Sequence, residues 1–286
     1  MFRLGCQVSI VGKIYDAVDR AVSLGCNTFQ IFARNPRQFR RSCIPKEDID
    51  RFKEKVNKNK ISPVIIHIPY TLNLASSREK FYRITIKEFI EDLIEADKLG
   101  ADYLITHMGS YKGFKKEISG LKRITKAISK ILKETEGTKT ILLLENTSGS
   151  GSWLGYKFSH QKFIFEGLNY NNRLGLCLDT AHAWAGGYKI NDKDGLESLL
   201  YEIENLIGLD RLFVIHLNDT KEPFNSRNDR HIDIGKGNIG EKGFSLIVNH
   251  PKLKNLAFIL ETPKKSEEDD LRNLNTVRRL YYDKLL

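Results

Sequence analysis

The stretch LGLCLDTAH, residues 174–182, decides how the rest of the chain reads. Leu174, Leu176, Cys177 and Leu178 form a short apolar run of the kind buried in a parallel sheet. The run stops abruptly at Asp179, with His182 three residues later. A carboxylate and an imidazole therefore stand where a strand ends. The same event recurs elsewhere: VIIH stops at His67, YLITH at His107, ILLLE at Glu145, LFVIH at His216 and LAFILE at Glu261. A lone ionisable residue at the end of a core strand is most often structural. Six consecutive runs that all end in His, Asp or Glu are hard to obtain that way. The carboxyl ends of parallel strands share one face, so these side chains are expected to converge there.

Strand-like runs occupy 4–10, 28–33, 63–68, 103–107, 140–145, 174–179, 211–217 and 256–261. Amphipathic stretches alternate with them. In SREKFYRITIKEFIEDLIEADKLG, for example, Ile86, Phe89, Ile90, Leu93 and Ala96 return on one helical face. Gly25, Gly100 and Gly208 mark helix ends, and Pro45 and Pro63 mark entries into a helix or strand. Eight such pairs within 286 residues predict one α/β domain over residues 1–286. Its form is a closed (β/α)8 TIM barrel with its site at the carboxyl ends of the strands. An open doubly wound sheet would usually show a Gly-rich phosphate turn after the first strand, whereas VGKIYD after Ile10 holds a single Gly.

The chain is 41% hydrophobic and 29% charged, with no apolar run near ~20 residues, so neither a membrane span nor a signal peptide is expected. A cytoplasmic, monomeric protein is the expectation. Cys6, Cys26, Cys43 and Cys177 lack CxxC spacing and read as core thiols, not as a disulfide framework or zinc ligands. Lys and Arg total 46 against 36 acidic residues, a net charge of +10. That excess suits a polyanionic partner, although a solvated Lys-rich surface such as KEKVNKNK would give it too.

After the seventh strand, SRNDRHIDIG adds Asp229 and His231 in a D-x-H arrangement. The candidate ligands are then His67, His107, Glu145, Asp179, His182, His216, Asp229, His231 and Glu261, which include five of the seven histidines. His160 and His250 fall outside the set and read as surface or capping residues. Nine donors exceed what one ion uses, since catalytic Zn2+ takes about three protein ligands, so two or three ions are implied. Imidazole and carboxylate without thiolate suit Zn2+ best, with Mn2+ or Fe2+ an option at one position. Glu145 is suited to bridge two ions at the ~3.5 to 4 Å separation of two-metal phosphoester cleavage.

The segments LDTAH (178–182), HLNDT (216–220), DRH (229–231), HMGS (107–110) and LLLENT (142–147) resemble the endonuclease IV family of apurinic/apyrimidinic endonucleases across essentially the whole chain. The resemblance implies a barrel with three zinc ions. The first would be held by His67, His107 and Glu145. The second would be held by Glu145, Asp179, His216 and Glu261, and the third by His182, Asp229 and His231. It further implies a bridging water as nucleophile, with Glu145 and Glu261 as catalytic carboxylates. Attack would fall on the phosphorus 5′ to an abasic sugar in damaged double-stranded DNA, leaving a 3′-hydroxyl and a 5′-deoxyribose phosphate.

Basic residues follow several strand ends: Arg34, Arg37, Arg40 and Arg41; Lys112, Lys115 and Lys116; Lys221, Arg227 and Arg230; Lys264 and Lys265. They are expected to rim the same face and track phosphates. The family inserts an arginine, a tyrosine and an apolar residue into the base stack where the abasic nucleotide is flipped out. Arg37 and Tyr70 match, whereas Thr71 stands at the apolar position, with Leu72 next. The loop SGSGSWLG, with Trp153, also resembles the family's loop.

Two other readings compete. Sugar isomerases and epimerases of related barrel architecture bind one or two ions at strand ends, but would need neither the D-x-H loop nor the basic rim. A noncatalytic DNA-binding protein with structural zinc would favour closed, thiolate-rich sites, which this set is not.

Overall fold

A computed structural model describes residues 2–32, 34–35 and 43–283, with the side chains of all but 282 and 283. Among the described residues eight strands alternate with helices: β1 (Arg3–Cys6), α1 (Asp16–Ser23), β2 (Phe29–Phe32), α2 (Lys46–Lys58), β3 (Val64–His67), α3 (Glu79–Leu99), β4 (Tyr103–His107), α4 (Glu117–Glu134), β5 (Ile141–Glu145), α5 (Phe158–Gly167), β6 (Leu174–Asp179), α6 (Thr180–Gly186), α7 (Lys193–Leu206), β7 (Leu212–His216), α8 (Gly240–Asn249), β8 (Ala257–Leu260) and α9 (Glu267–Asp283). The strands are parallel and ordered β1-β8-β7-β6-β5-β4-β3-β2. Among the described residues the barrel closes between β1 and β2 through one bridge, Gln7 to Gln30, where Val8 N–H donates to Gln30 O at 2.8 Å. The two strands approach closely at this seam. A Cβ on Gly5 would sit 1.8 Å from Thr28 O, so only glycine fits.

Alternation along each strand creates two cores. Outward residues such as Ile66, Leu104, Leu144 and Leu178 pack against the helices, whose inner faces carry Phe52, Phe89, Ile128 and Phe244. Inward residues Ile65, Ile105, Leu143, Cys177, Val214, Ala257 and Ile259 fill the barrel, above Tyr103, Ile141 and Phe213. Because the side-chain period in a strand is two, the residue two places beyond each of Ile65, Ile105, Leu143, Cys177, Val214 and Ile259 must also point inward. Those residues are His67, His107, Glu145, Asp179, His216 and Glu261. The apolar layer is thus the floor on which the ionisable layer rests.

The expected strands at 103–107 and 174–179 match β4 and β6. The first strand ends earlier than expected, at Cys6 instead of Ile10; among the described residues its pairing towards β2 is limited to the Gln7–Gln30 bridge and the bond from Val8 N–H to Gln30 O. Gly100 caps α3 in the left-handed region, with φ 75°. The sequence does not announce the short helix α6. Its seven residues, TAHAWAG, are too few to show periodicity, and it begins because Asp179 accepts a hydrogen bond from His182 N–H at 2.7 Å.

Candidate metal centre

The six strand-end residues meet over one mouth, joined by His182 from α6 and by Asp229 and His231 from the loop after β7. His67, His107 and Glu145 form one group of donor atoms within 4.8 Å of one another; Glu145, Asp179, His216 and Glu261 form a second, and Asp179, His182 and His231 a third. Asp229 faces the third group, with Oδ2 3.2 Å from His182 Nε2 and Oδ1 3.4 Å from His231 Nε2. Glu145 is shared between groups by its two oxygens. Oε2 lies 3.0 Å from both His67 Nε2 and His107 Nε2, while Oε1 lies 3.1 Å from His216 Nδ1.

These spacings fit metal binding. Ligand atoms on one tetrahedral zinc stand about 3.3 Å apart, given Zn–N and Zn–O distances near 2.0–2.1 Å. His231 Nε2 is buried without a hydrogen-bond partner, an orphaned acceptor aimed into the cluster. The orientation of the rings fits too. His67, His182 and His231 each direct Nδ1 to a backbone carbonyl, of Ile68, Asn146 and Glu261 at 2.7, 3.0 and 3.2 Å, which leaves Nε2 to face the cluster.

Without ions the cluster is held by proton sharing. Burial opposes charge on His107, yet Glu145 outweighs it and raises its pKa. Burial is likewise overcome at His182 by Asp179, Asp229 and Glu145, and at His216 by neighbours that include Glu261 and Glu145; both rings are held well above the ordinary value. Burial alone would raise the acids, but His107 and His216 hold Glu145 well below the usual carboxylate range. His216 does the same for Glu261, and His182 for Asp229. Beneath them, burial pushes the Cys177 thiol up to about 12, so it is a neutral floor residue.

A layer of polar side chains orients the ionisable ones. Asn218 Nδ2 donates to Asp179 Oδ2 at 2.6 Å, and its Oδ1 accepts from Glu261 N at 2.9 Å. Asn146 brackets the Asp179 backbone, accepting from its N–H at 2.7 Å and donating to its carbonyl at 3.0 Å. Asp219 accepts from four backbone amides, of Thr220, Gly235, Gly237 and Ile239 at 2.8–3.1 Å, and so shapes the loop that carries Asp229 and His231. Trp184 of α6 steadies the other side of that loop by donating to Glu222 O at 3.0 Å. Sequence reading missed Asn146, Asn218, Asp219 and Gln30 as site residues. The first three do lie inside the motifs LLLENT and HLNDT that drew attention to their neighbours.

Tyr70 stands at the mouth, 56% exposed, its ring stacked 6.2 Å from that of His107. Thr71 is half-buried with its Oγ1 unpaired, and Leu72 is buried in the core, so Leu72 is not free to act as a wedge. Arg37, Arg40 and Arg41 lie outside the described residues. Lys112, Lys115, Lys116, Lys221, Arg230 and Lys265 are exposed, as a basic rim requires. Three further basic residues are committed to contacts within the protein. Arg34 is buried, paired through two 2.9 Å bonds with Asp92 of α3 and lying 3.6 Å from Glu88, so it ties β2 to the helical layer. Lys264 pairs with Asp270 at 2.6 Å and donates to Gln7 O at 2.7 Å. Arg227 lies over the Tyr156 ring at 3.7 Å.

The SGSGSWLG loop is clipped to the β4 loop by Tyr111 N–H to Ser152 O at 3.0 Å, and Trp153 meets the His107 ring edge-on at 5.9 Å. His160 is buried, not on the surface: Nδ1 accepts from Gly155 N at 3.1 Å and Nε2 faces Glu117 at 3.4 Å. Cys6, Cys26 and Cys177 are buried as expected, whereas Cys43 is exposed. Among the described residues, no helix is long and apolar enough to cross a membrane.

Comparison with known proteins places this geometry in context. Residues 18–280 match the family model described as the xylose isomerase-like TIM barrel. A probable endonuclease 4 of Halothermothrix orenii is 41% identical over 97% of this chain and 99% of its own length. One of Chloroflexus aggregans is 40% identical over 98% of each chain. The crystal structure of endonuclease IV from Thermus thermophilus superposes with a TM-score of 0.87 at 32% identity, covering 98% of this chain and 99% of that one. A D-tagatose 3-epimerase-like protein reaches a TM-score of 0.74 at 18% identity, a likeness of fold alone. With that level of identity along nearly its full length, the chain belongs to the endonuclease IV family of apurinic/apyrimidinic endonucleases.

Proposed function

We propose that this protein is a zinc-dependent DNA repair endonuclease that cuts the phosphodiester bond 5′ to an abasic site in duplex DNA, leaving a 3′-hydroxyl and a 5′-deoxyribose phosphate. The observation that carries the reading is the sharing of Glu145 between two donor groups in a mouth that also holds a third. His67, His107 and Glu145 would hold one ion; Glu145, Asp179, His216 and Glu261 a second; His182, Asp229 and His231 a third. Bound there, three zinc ions would lower the pKa of a water held among them and neutralise charge developing on the phosphoryl oxygens.

The chain's own residues account for the rest. With the imidazoles neutral, as metal ligands must be, Glu145, Asp179, Asp229 and Glu261 would carry four negative charges, and three divalent ions would leave the mouth twofold positive, which attracts a phosphodiester. The apolar floor of Ile65, Ile105, Leu143 and Ile259 keeps water from beneath the site and fixes the inward side chains above it. Tyr70 offers an exposed ring beside His107 against which a sugar or base can stack. Thr71, Arg230 and, beyond the described residues, Arg37 complete the DNA-contact set, and the exposed lysines track the flanking phosphates. An abasic nucleotide would be the substrate because it lacks a base to unstack and is extruded at low cost. The protein would act as a cytoplasmic monomer with access to chromosomal DNA.

The sugar-epimerase reading is not favoured. Its supporting structures resemble this one at 18% identity or less, and one or two ions leave part of the nine-donor set without purpose. The test is metal analysis of the purified protein alongside nicking of a duplex with one abasic analogue and of its undamaged counterpart. About three zinc per chain with nicking confined to the damaged duplex is expected. Equal nicking of both duplexes, or sugar epimerisation without nicking, would overturn the reading.

A further inference from the structure

Strands β3 to β8 end in ionisable side chains, but β1 and β2 bring amides to the same centre, Gln7 and Gln30. Gln30 is fully buried at the closing seam, in the inward row beside Ile65. Its Nε2 lies 2.6 Å from Glu261 Oε1 and 2.8 Å from Gln7 Oε1, and its Oε1 lies 2.9 Å from His216 Nε2. The orientation of this amide follows from chemistry. Ionised Glu261 can only accept, so the amide end that faces it must be the NH2 group. The carbonyl end therefore faces His216, and since that oxygen also only accepts, His216 must keep a proton on Nε2, so that Nδ1 is the nitrogen that gives up its proton to a metal.

An imidazole protonated on Nε2 can bind a cation only through Nδ1. His216 Nδ1 is the atom that lies 3.1 Å from Glu145 Oε1, 3.4 Å from Glu261 Oε2 and 3.9 Å from Asp179 Oδ2, at the centre of the second donor group. His67, His182 and His231 are turned the other way and rely on backbone carbonyls. His216 relies on a side chain, which mutation can remove without moving the main chain.

We propose that Gln30 is a positioning residue for the second ion: it selects Nδ1 as the ligand atom of His216 and, through the same amide, fixes the rotamer of Glu261. Gln7 holds the amide in place from β1. This inference rests on the zinc reading given above. A neutral amide suits the task, because it orients two ligands without adding charge to a centre that already holds several carboxylates.

The test uses the full-length chain as wild type, Gln30→Leu and Gln30→Glu. Zinc retention is followed against graded chelator, and the zinc-loaded proteins, labelled with 15N-histidine, are examined by long-range 15N–1H correlation, with His216 assigned through His216→Gln. Wild type is expected to hold three zinc and to show His216 protonated on Nε2 and metal-bound through Nδ1. Gln30→Leu is expected to bind one ion about 10–100-fold more weakly while keeping the other two, and to lose the fixed His216 tautomer. Gln30→Glu keeps an acceptor for His216 but cannot donate to Glu261, so the tautomer should persist while the same ion weakens. Wild-type zinc affinity and tautomer in Gln30→Leu would overturn the inference and leave the zinc reading standing. Should Gln30→Leu not fold, wild-type zinc affinity in Gln30→Glu would overturn it equally. A wild-type protein that takes up no zinc would overturn both.

Discussion

Glu145→Gln is the most informative single substitution, because one carboxylate faces two donor groups. The change keeps size and shape and removes the charge. The first group is left with His67 and His107, two neutral donors and too few for Zn2+. The second keeps three ligands, Asp179, His216 and Glu261, but without its anionic bridge it should bind weakly enough to yield its ion to a chelator, so only the third group stays intact. Zinc per chain should fall from about three to about one after dialysis against chelator. Each ion present at a hundredfold excess over its dissociation constant stabilises the folded state by about 2.7 kcal/mol. Three ions then contribute ~8 kcal/mol, or about 16 °C in Tm at ~2 °C per kcal/mol for a chain of this size. Stripping metal should therefore lower the wild-type Tm by about 16 °C and that of Glu145→Gln by only about 5 °C. Nicking of an abasic duplex should fall by ~10² to 10³ or more, since ~10²–10³ is the scale for losing one preorganised electrostatic group and this change loses two ions. Calorimetry with and without chelator, paired with metal analysis, reads both effects. A variant that keeps three zinc and the wild-type response to chelator would refute the bridging assignment.

Glu261→Gln should retain the fold but lose most nicking of the abasic duplex, and normal nicking would count against its role. In the metal-free protein, His107, His182 and His216 have raised pKa values, so their ion pairs stabilise fully below about pH 6.5 and weaken as pH rises through the folded values. Zinc must displace those protons. The Tm gain on adding zinc should thus be larger near pH 8 than near pH 6, and uptake should release protons measurable by titration calorimetry in two buffers. Asp219→Ala strands four loop amides and should cost about 3–4 kcal/mol by urea unfolding, with the ion at His182, Asp229 and His231 the first lost. Arg34→Ala breaks a buried pair with Asp92 and should cost ~3–5 kcal/mol, while the folded fraction binds abasic duplex as before.

The barrel and its ionisable layer were legible in the sequence because six apolar runs end in His, Asp or Glu and parallel strands present their carboxyl ends on one face; strand parity is what the structure adds. Where an apolar run ends two residues past an inward Ile, Leu or Cys, the last side chain must also point inward, as Leu143 and Glu145 or Cys177 and Asp179 show. What the sequence concealed were contacts that depend on pairing across the fold. Arg34 follows a strand just as the rim lysines do, yet its partner Asp92 lies 58 residues away on α3, and that pairing buried it. His160 looked peripheral because its neighbours Glu117 and Gly155 belong to other elements. Gln30 gave no signal, since an amide in an apolar strand reads as an ordinary interruption until His216 and Glu261 are seen on either side of it. Helix α6 was hidden by its brevity, although its cap, Asp179, is the carboxylate that ends the apolar run at 174–178.

The central claim is that nine residues from seven separate segments hold three cations over one mouth. Anomalous diffraction at the zinc absorption edge, on crystals of protein purified without added metal, tests it most directly. Three peaks are predicted, one bounded by His67, His107 and Glu145, one by Glu145, Asp179, His216 and Glu261, and one by His182, Asp229 and His231. A mouth without peaks, or zinc found only elsewhere on the surface, would contradict the account.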